Sequence, residues 1–313
     1  MVKKVKEIIE IPQDSEEKQL TEKNTPKKHI TDEEYRNLRK AWLGNAEFQD
    51  AIKEVMQKTT VLVAGPAGSG KSLFCMQYLI DRIRFDNVPG VYISFEESWT
   101  NLIKDFKSFD PWNVCDLLNK EKKGRLLIID TVTKNPPAKD LEESNEDIKS
   151  LSKYNIEFIN IDTIKTESFD SLMTTIQSAV LRFANKFEDE REVKANVVID
   201  SITALLSLEA LGDENKVLPE TRVRKTMLMI KNNFEPQGLV TFFPAEADKE
   251  GTPKFKNEDF IARGVFEMNY EEKSGEYIKF FRIKKLRGAK FSTKKYLVTI
   301  EKETGLTISG ELI

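Results

Sequence analysis

Residues 60 to 72 constrain this chain more than any other stretch. A short apolar run, TVLVA, leads at once into Gly65, Pro66, Ala67, Gly68, Ser69, Gly70, Lys71 and Ser72, and an apolar helical pattern, KSLFCMQYLIDRI, follows. Glycines at 65, 68 and 70 let the backbone turn sharply, so that successive amide hydrogens point inward at one place. An anion held there also faces the positive end of the helix that opens near Lys71. The pattern is that of a phosphate cradle. Gly65 through Leu73 wrap the phosphates of a nucleotide, Lys71 reaches the β and γ phosphates, and Ser72 puts its hydroxyl on Mg2+. A chance glycine-rich turn between a strand and a helix is the competing reading, and flanks this regular weigh against it.

A strand that feeds such a loop needs parallel neighbours. From residue 60 onward short apolar runs alternate with amphipathic stretches: TVLVA, KSLFCMQYLIDRI, GVYISF, then SWTNLIKDFKSF. That alternation predicts an α/β fold, a mostly parallel sheet flanked by helices. Further strands are expected at Arg125 to Ile129, Ile156 to Ile161, Asn196 to Ile199 and Leu239 to Phe243, with helices around Phe169 to Phe187 and Glu220 to Asn232. After Phe260 the runs VFEMNY, EYIKFFRIKK and KKYLVTIE, with turns at Ser274-Gly275 and near Gly288, predict antiparallel strands at the C-terminal end. The strand VYISF is expected beside the first strand, because consecutive strands of a βαβ unit are usually neighbours.

Ahead of this core, residues 1–30 read as a charged tail with too little apolar surface to offset the entropy of ordering. Residues 31–57 read as a helical segment that opens on the capping-box spacing Thr31-Asp32-Glu33-Glu34. The domain proper is expected over 58–313, with residues 134–150 a polar surface excursion.

A phosphate-transferring loop of this kind also needs a carboxylate at the end of a neighbouring apolar strand to hold the metal's water shell. Three aspartates compete: Asp130 after RLLII, Asp162 after FINI and Asp200 after NVVI. Each could instead cap the turn or helix that follows its strand. Glu96 and Glu97 end the strand VYISF, where a carboxylate could orient and deprotonate the water that attacks the γ phosphate. The same pair would equally suit the acidic first turn of the helix that starts near Ser98. The segment RIKKLRGAK holds five basic residues over 282–290. An exposed strand end or a nucleic-acid patch would explain them, but Lys285 and Arg287, two apart on one strand face, could also act on a nucleotide held by an adjacent subunit.

Composition narrows the classes. Lys plus Arg number 49 against 52 Asp plus Glu, a net charge of -3 that announces neither a nucleic-acid nor a membrane partner. Cys75 and Cys115 are far apart, and with His29 the only histidine neither a disulfide framework nor structural zinc is indicated. No apolar run reaches transmembrane length and the N-terminus lacks a signal-peptide core, so a cytoplasmic protein is expected.

Taken together and in this order, GPAGSGKS at 65–72, YISFEE at 92–97, VVIDSITAL at 197–205, KKLRGAK at 284–290 and IEKETGLTI at 300–308 resemble the KaiC-like branch of the RecA-fold ATPases. The resemblance covers about residues 58–310 and implies a RecA-like core that binds ATP with Mg2+. It implies that Asp200 is the Walker B aspartate, that Glu96 and Glu97 are the catalytic pair, and that Lys285 and Arg287 act in trans within a homo-oligomer, a hexameric ring. The chain has one such loop, and Ala262-Arg263-Gly264 stands where the family often has Ala-Asp-Gly. The implied activity is slow ATP hydrolysis in an oligomeric switch. A nucleotide-gated scaffold for an unidentified protein partner is the alternative, and a recombination or repair accessory on DNA a more distant one.

Overall fold

In a computed structural model of the chain, the residues described are Glu33, 59–109, 112–134, 152–160, 169–187, 192–209, 219–248, 261–273 and 275–312. The N-terminal tail, most of the 31–57 segment, the 134–150 excursion beyond Lys134, and Asp162 lie outside them.

The element order is β1 (Thr60–Gly65), α1 (Lys71–Asp86), β2 (Gly90–Ser94), α2 (Trp99–Lys107), α3 (Val114–Leu118), β3 (Leu126–Asp130), β4 (Ile156–Phe158), α4 (Phe169–Ala184), β5 (Ala195–Asp200), α5 (Ile202–Glu209), α6 (Pro219–Phe234), β6 (Leu239–Glu246), β7 (Gly264–Lys273), β8 (Glu276–Leu286), β9 (Tyr296–Glu301) and β10 (Gly305–Glu311). They build one ten-stranded sheet in the order β10-β9-β8-β7-β1-β6-β5-β2-β3-β4. From β7 to β4 every neighbour is parallel, and β7 to β10 form an antiparallel extension, as the sequence implies.

One expectation is corrected. The strand β2 does not lie beside β1: its partners are β3 and β5, and both β5 and β6 stand between it and β1. Two strands from later in the chain are inserted into the first βαβ unit, so α1 packs across β2, β5 and β6 rather than over a single adjacent pair.

The strands of the parallel half are apolar throughout because both faces are covered. Val61 and Val63 of β1 join the cluster under α1, α2 and α3, whereas Leu62 and Ala64 join the one under α4, α5 and α6. The antiparallel strands curl around α1. Phe266 and Met268 of β7, Phe281 and Ile283 of β8, and Leu306 and Ile308 of β10 all point into the α1 cluster. Gln77 of α1 meets the edge strand directly: its Nε2 donates to the Leu306 carbonyl and its Oε1 accepts the Leu306 amide, both at 2.8 Å. Gly305 makes that approach possible, since a Cβ there would lie 2.8 Å from Gln77 Oε1 and from the Trp112 ring, on a backbone with φ of +75°.

Candidate functional site

The loop between β1 and α1 has the shape its glycines allow. Gly68 and Gly70 take φ of +74° and +101°, and Gly70 caps α1, its carbonyl accepting the Phe74 amide at 2.8 Å. Gly65 passes so close to β7 that a Cβ would stand 1.9 Å from the Met268 carbonyl oxygen. Side chains hold the outer rim of the loop. Lys71 Nζ donates to the Pro66 carbonyl at 2.8 Å, Tyr270 Oη to Ala67 at 3.4 Å, and Lys279 Nζ to Gly68 at 3.2 Å. Tyr270 and Lys279 are direct cross-strand partners on β7 and β8. The Ser69 hydroxyl is buried without a hydrogen-bond partner, so the loop keeps one donor unspent.

Asp200 closes β5 on the face beneath α1. Its Oδ2 accepts the phenolic hydrogen of Tyr92, and the Ser72 hydroxyl hydrogen-bonds to the same carboxylate. Burial raises its pKa above the usual aspartate range, and the bonds from Tyr92 and Ser72 pull it back down. Burial likewise lowers the pKa of Lys71, while Asp200, Glu246 and Glu96, in that order, favour its charged form. Four charged groups from β1–α1, β2, β5 and β6 therefore converge at the carboxyl ends of parallel strands, the usual place for a ligand in such a sheet. The Asp200–Ser201 peptide is cis.

The two glutamates after β2 are held differently. Glu96 accepts the hydroxyl hydrogen of Ser201 at Oε1. Glu97 is fixed through its backbone: its amide donates to Ser94 Oγ at 3.1 Å, and its carbonyl accepts from that hydroxyl at 2.6 Å. Burial first, then repulsion from Asp105, Asp200 and Glu96, raises the Glu97 pKa.

Asp130 takes the capping role. It is wholly buried, and its two oxygens accept the amides of Trp99 (2.9 Å), Val132 (2.8 Å) and Thr133 (2.9 Å) and the Thr133 hydroxyl (2.6 Å). A carboxylate so fully engaged has little capacity left for a metal's water shell.

Lys285 and Arg287 lie elsewhere. Lys285 pairs with Val265, Leu286 with Gly264, and Gly264 with Val61, while the Arg287 amide donates to the Arg263 carbonyl at 2.9 Å. All of these sit by the amino end of β1, at the opposite edge of the sheet from the loop. Within one chain the structure does not bring them to Lys71.

Sequence reasoning passed over Glu246 and Tyr92. Glu246 closes β6 in register with Gly65 and acts on Lys71. The signal was the one used for the aspartates, an acid after an apolar run, here TFFPAE. Tyr92 carried no comparable signal and reads as a core strand residue.

The residues present suit a magnesium-bound nucleotide. A loop that only glycine can form, an unpaired Ser69 hydroxyl, and Ser72 beside Asp200 make a donor set of the hard oxygens Mg2+ takes, with an anion cradle next to it. Among the described residues no group of three or more His, Cys, Asp or Glu could hold a metal alone, so phosphate oxygens and water would complete the coordination. Among the described residues no helix is long and apolar enough to cross a membrane.

The chain is similar to several known proteins. The chain is 28% identical over 250 residues to a circadian clock oscillator protein KaiC from a Nostoc species, covering 77% of this chain and 38% of that protein. It is 26% identical over 295 residues to the KaiC of Parathermosynechococcus lividus, covering 93% and 46%. The chain thus spans less than half the length of these curated relatives. A UPF0273 protein of Methanocaldococcus jannaschii is 23% identical over 253 residues, 80% of this chain and 87% of that protein. Among solved structures, a KaiC-like protein from the hyperthermophilic archaeon Pyrococcus horikoshii superposes with a TM-score of 0.56 at 23% identity, over 81% of this chain and 90% of that one. The family model described as "ATPase: KaiC" matches residues 46–312, well over half of the chain, and the protein belongs to that family.

Proposed function

We propose that this chain hydrolyses ATP slowly, with Mg2+, in a ring whose sites are shared between subunits. The observation that carries the reading is the convergence of Lys71, Ser72, Asp200 and Glu96 at one edge of the sheet. Gly65 to Leu73 would wrap the phosphates, and Lys71, released from the Pro66 carbonyl, would lie against the β and γ oxygens. Ser72 would hold Mg2+ directly and Asp200 through its water shell. The cation, when bound, would neutralise charge on the β and γ phosphates. Glu96, held by Ser201, would orient water and accept its proton, with Glu97 beside it. Lys285 and Arg287 would neutralise charge on a neighbour's nucleotide.

Light scattering with and without Mg2+ and a slowly hydrolysed ATP analogue, together with phosphate release from ATP, tests this reading. A nucleotide-dependent ring with turnover abolished in Lys71→Ala supports it. A ring with no turnover would replace it by a nucleotide-gated scaffold. A chain that binds no nucleotide would overturn it, and competition that favours GTP would overturn the choice of base.

A further inference from the structure

We propose, resting on the Mg2+·ATP reading above, that Tyr92 is a positioning residue for the cation: its buried hydroxyl fixes the Asp200 carboxylate in the orientation that a cation on Ser72 requires. Tyr92 lies in the middle of β2, with its backbone in register with Ile128 and Val198, whereas Asp200 is level with Ser94. The offset is two residues, about 7 Å at the usual strand rise, which is the span of a tyrosine side chain. Tyr92, Val198 and Asp200 share the sheet face beneath α1, so the ring runs along the strand and delivers its hydroxyl to Asp200 Oδ2. Phe106 of α2 packs edge-on against the ring, with centroids 5.8 Å apart and planes at 70°, and sets its plane.

The Ser72 hydroxyl lies within hydrogen-bonding reach of both Tyr92 and Asp200. The three groups tie the loop helix, β2 and β5 together at one point. Tyr92 and Ser72 are the side-chain donors to Asp200 among the described residues. Their situations differ. Ser72 is a group the bound cation would take, whereas Tyr92 sits behind Asp200, fully buried in the strand. With the site loaded, the phenol is therefore the donor that stays with the carboxylate and keeps it from turning. Phenylalanine would fill the same space and keep the Phe106 contact, yet leave a buried carboxylate oxygen without its donor. Outer partners of this kind typically change metal affinity by about 10-fold or more when removed.

The test is binding of a fluorescent, slowly hydrolysed ATP analogue to the full chain, in EDTA and across a Mg2+ titration. In Tyr92→Phe the affinity in EDTA should match the unmutated chain, while the Mg2+ concentration that half-saturates the tightening rises about 10-fold. Because Tyr92 acts through Asp200, adding Tyr92→Phe to Asp200→Asn should cost nothing further. An unchanged Mg2+ titration overturns the proposal, as does an equal loss in EDTA or full additivity with Asp200→Asn. Should Tyr92→Phe fail to fold, tyrosine labelled with carbon-13 at Cζ in the unmutated chain gives the second reading. Of the buried tyrosines 78, 92 and 296, one resonance must move when Mg2+ joins the nucleotide complex, and none moving overturns the proposal. An unmutated chain that binds no nucleotide sinks the ATPase reading itself. A Mg2+-sensitive chain with an indifferent Tyr92→Phe sinks this inference alone.

Discussion

Ser201 donates its hydroxyl hydrogen to Glu96, and the same oxygen accepts the Ala204 amide at 3.1 Å. One side chain thus caps the start of α5 and holds a carboxylate 105 residues away in sequence. Because Ser201 follows Asp200 directly, the proposed metal-side aspartate and the residue that holds the proposed water-side glutamate occupy adjacent positions at one strand end. Glu97 is instead held through its backbone, bracketed by Ser94, although both glutamates are exposed.

That asymmetry separates the two glutamates. Glu96→Gln should lower phosphate release by roughly 100-fold or more, the usual scale for a positioned general base, while analogue binding is retained. Glu97→Gln should lower it less than about 10-fold. Steady-state phosphate release on the single variants decides it, and equal losses from the two would remove Ser201 from the account.

Asp130 supports the same region from below. Its bond to the Trp99 amide begins α2 where Ser98, the N-cap, makes no side-chain cap bond of its own. Asp130→Ala would leave the amides of Trp99, Val132 and Thr133 without their acceptor, at a cost of about 3 kcal/mol in unfolding free energy. Urea denaturation measures this. A loss under about 0.5 kcal/mol, the scale of an ordinary surface change, would show that the clamp is dispensable.

What could be read in advance rests on local chemistry. The loop at 65–72 declares itself through residues that only a phosphate cradle needs together, and the antiparallel end through its alternation and turns. Strand order is not local. Nothing near VYISF says that β5 and β6 will insert between it and β1, because that depends on pairings formed by residues more than 100 positions later. Glu246 was lost at Pro244, which lacks an amide and reads as a strand end, yet β6 continues through it in register with Val63. Tyr92 was lost because a tyrosine in an apolar run is ordinarily core, and only the tertiary fold supplies the carboxylate its hydroxyl meets.

The Asp200 carboxyl offers a pH prediction with a definite sign. Burial raises its folded pKa above the ordinary 3.8, so the unfolded chain releases this proton first as pH rises. The stability it contributes is present in full below 3.8 and is lost as pH climbs through the folded value. Asp200→Asn cannot ionise and keeps an acceptor for Tyr92. Without nucleotide it should melt a few degrees above the unmutated chain at pH 7, and the advantage should vanish below about pH 4. Thermal melts across that range check it. A variant less stable at every pH would show that the hydrogen bonds outweigh the cost of burying the charge.

The last prediction follows from where the basic pair sits. Along β1, Val61 is level with Gly264, whose partner on β8 is Leu286, and Gly65 lies four residues further on, about 13 Å at the usual rise. Lys285 and Arg287 thus flank the edge of the sheet away from their own loop, and any action on nucleotide must reach across to another subunit. Lys71→Ala and Arg287→Ala chains should each be inactive alone. Dissociated, mixed in equal amounts and reassembled with Mg2+ and ATP, they should regain roughly a quarter of the unmutated rate. A site works when the intact loop of an Arg287→Ala chain meets the intact arginine of a Lys71→Ala neighbour, and random assembly gives that pairing at about one interface in four. Phosphate release across a series of mixing ratios should peak at equal amounts. A flat, inactive series would mean that Arg287 serves its own chain's fold, and the shared site would have to be abandoned.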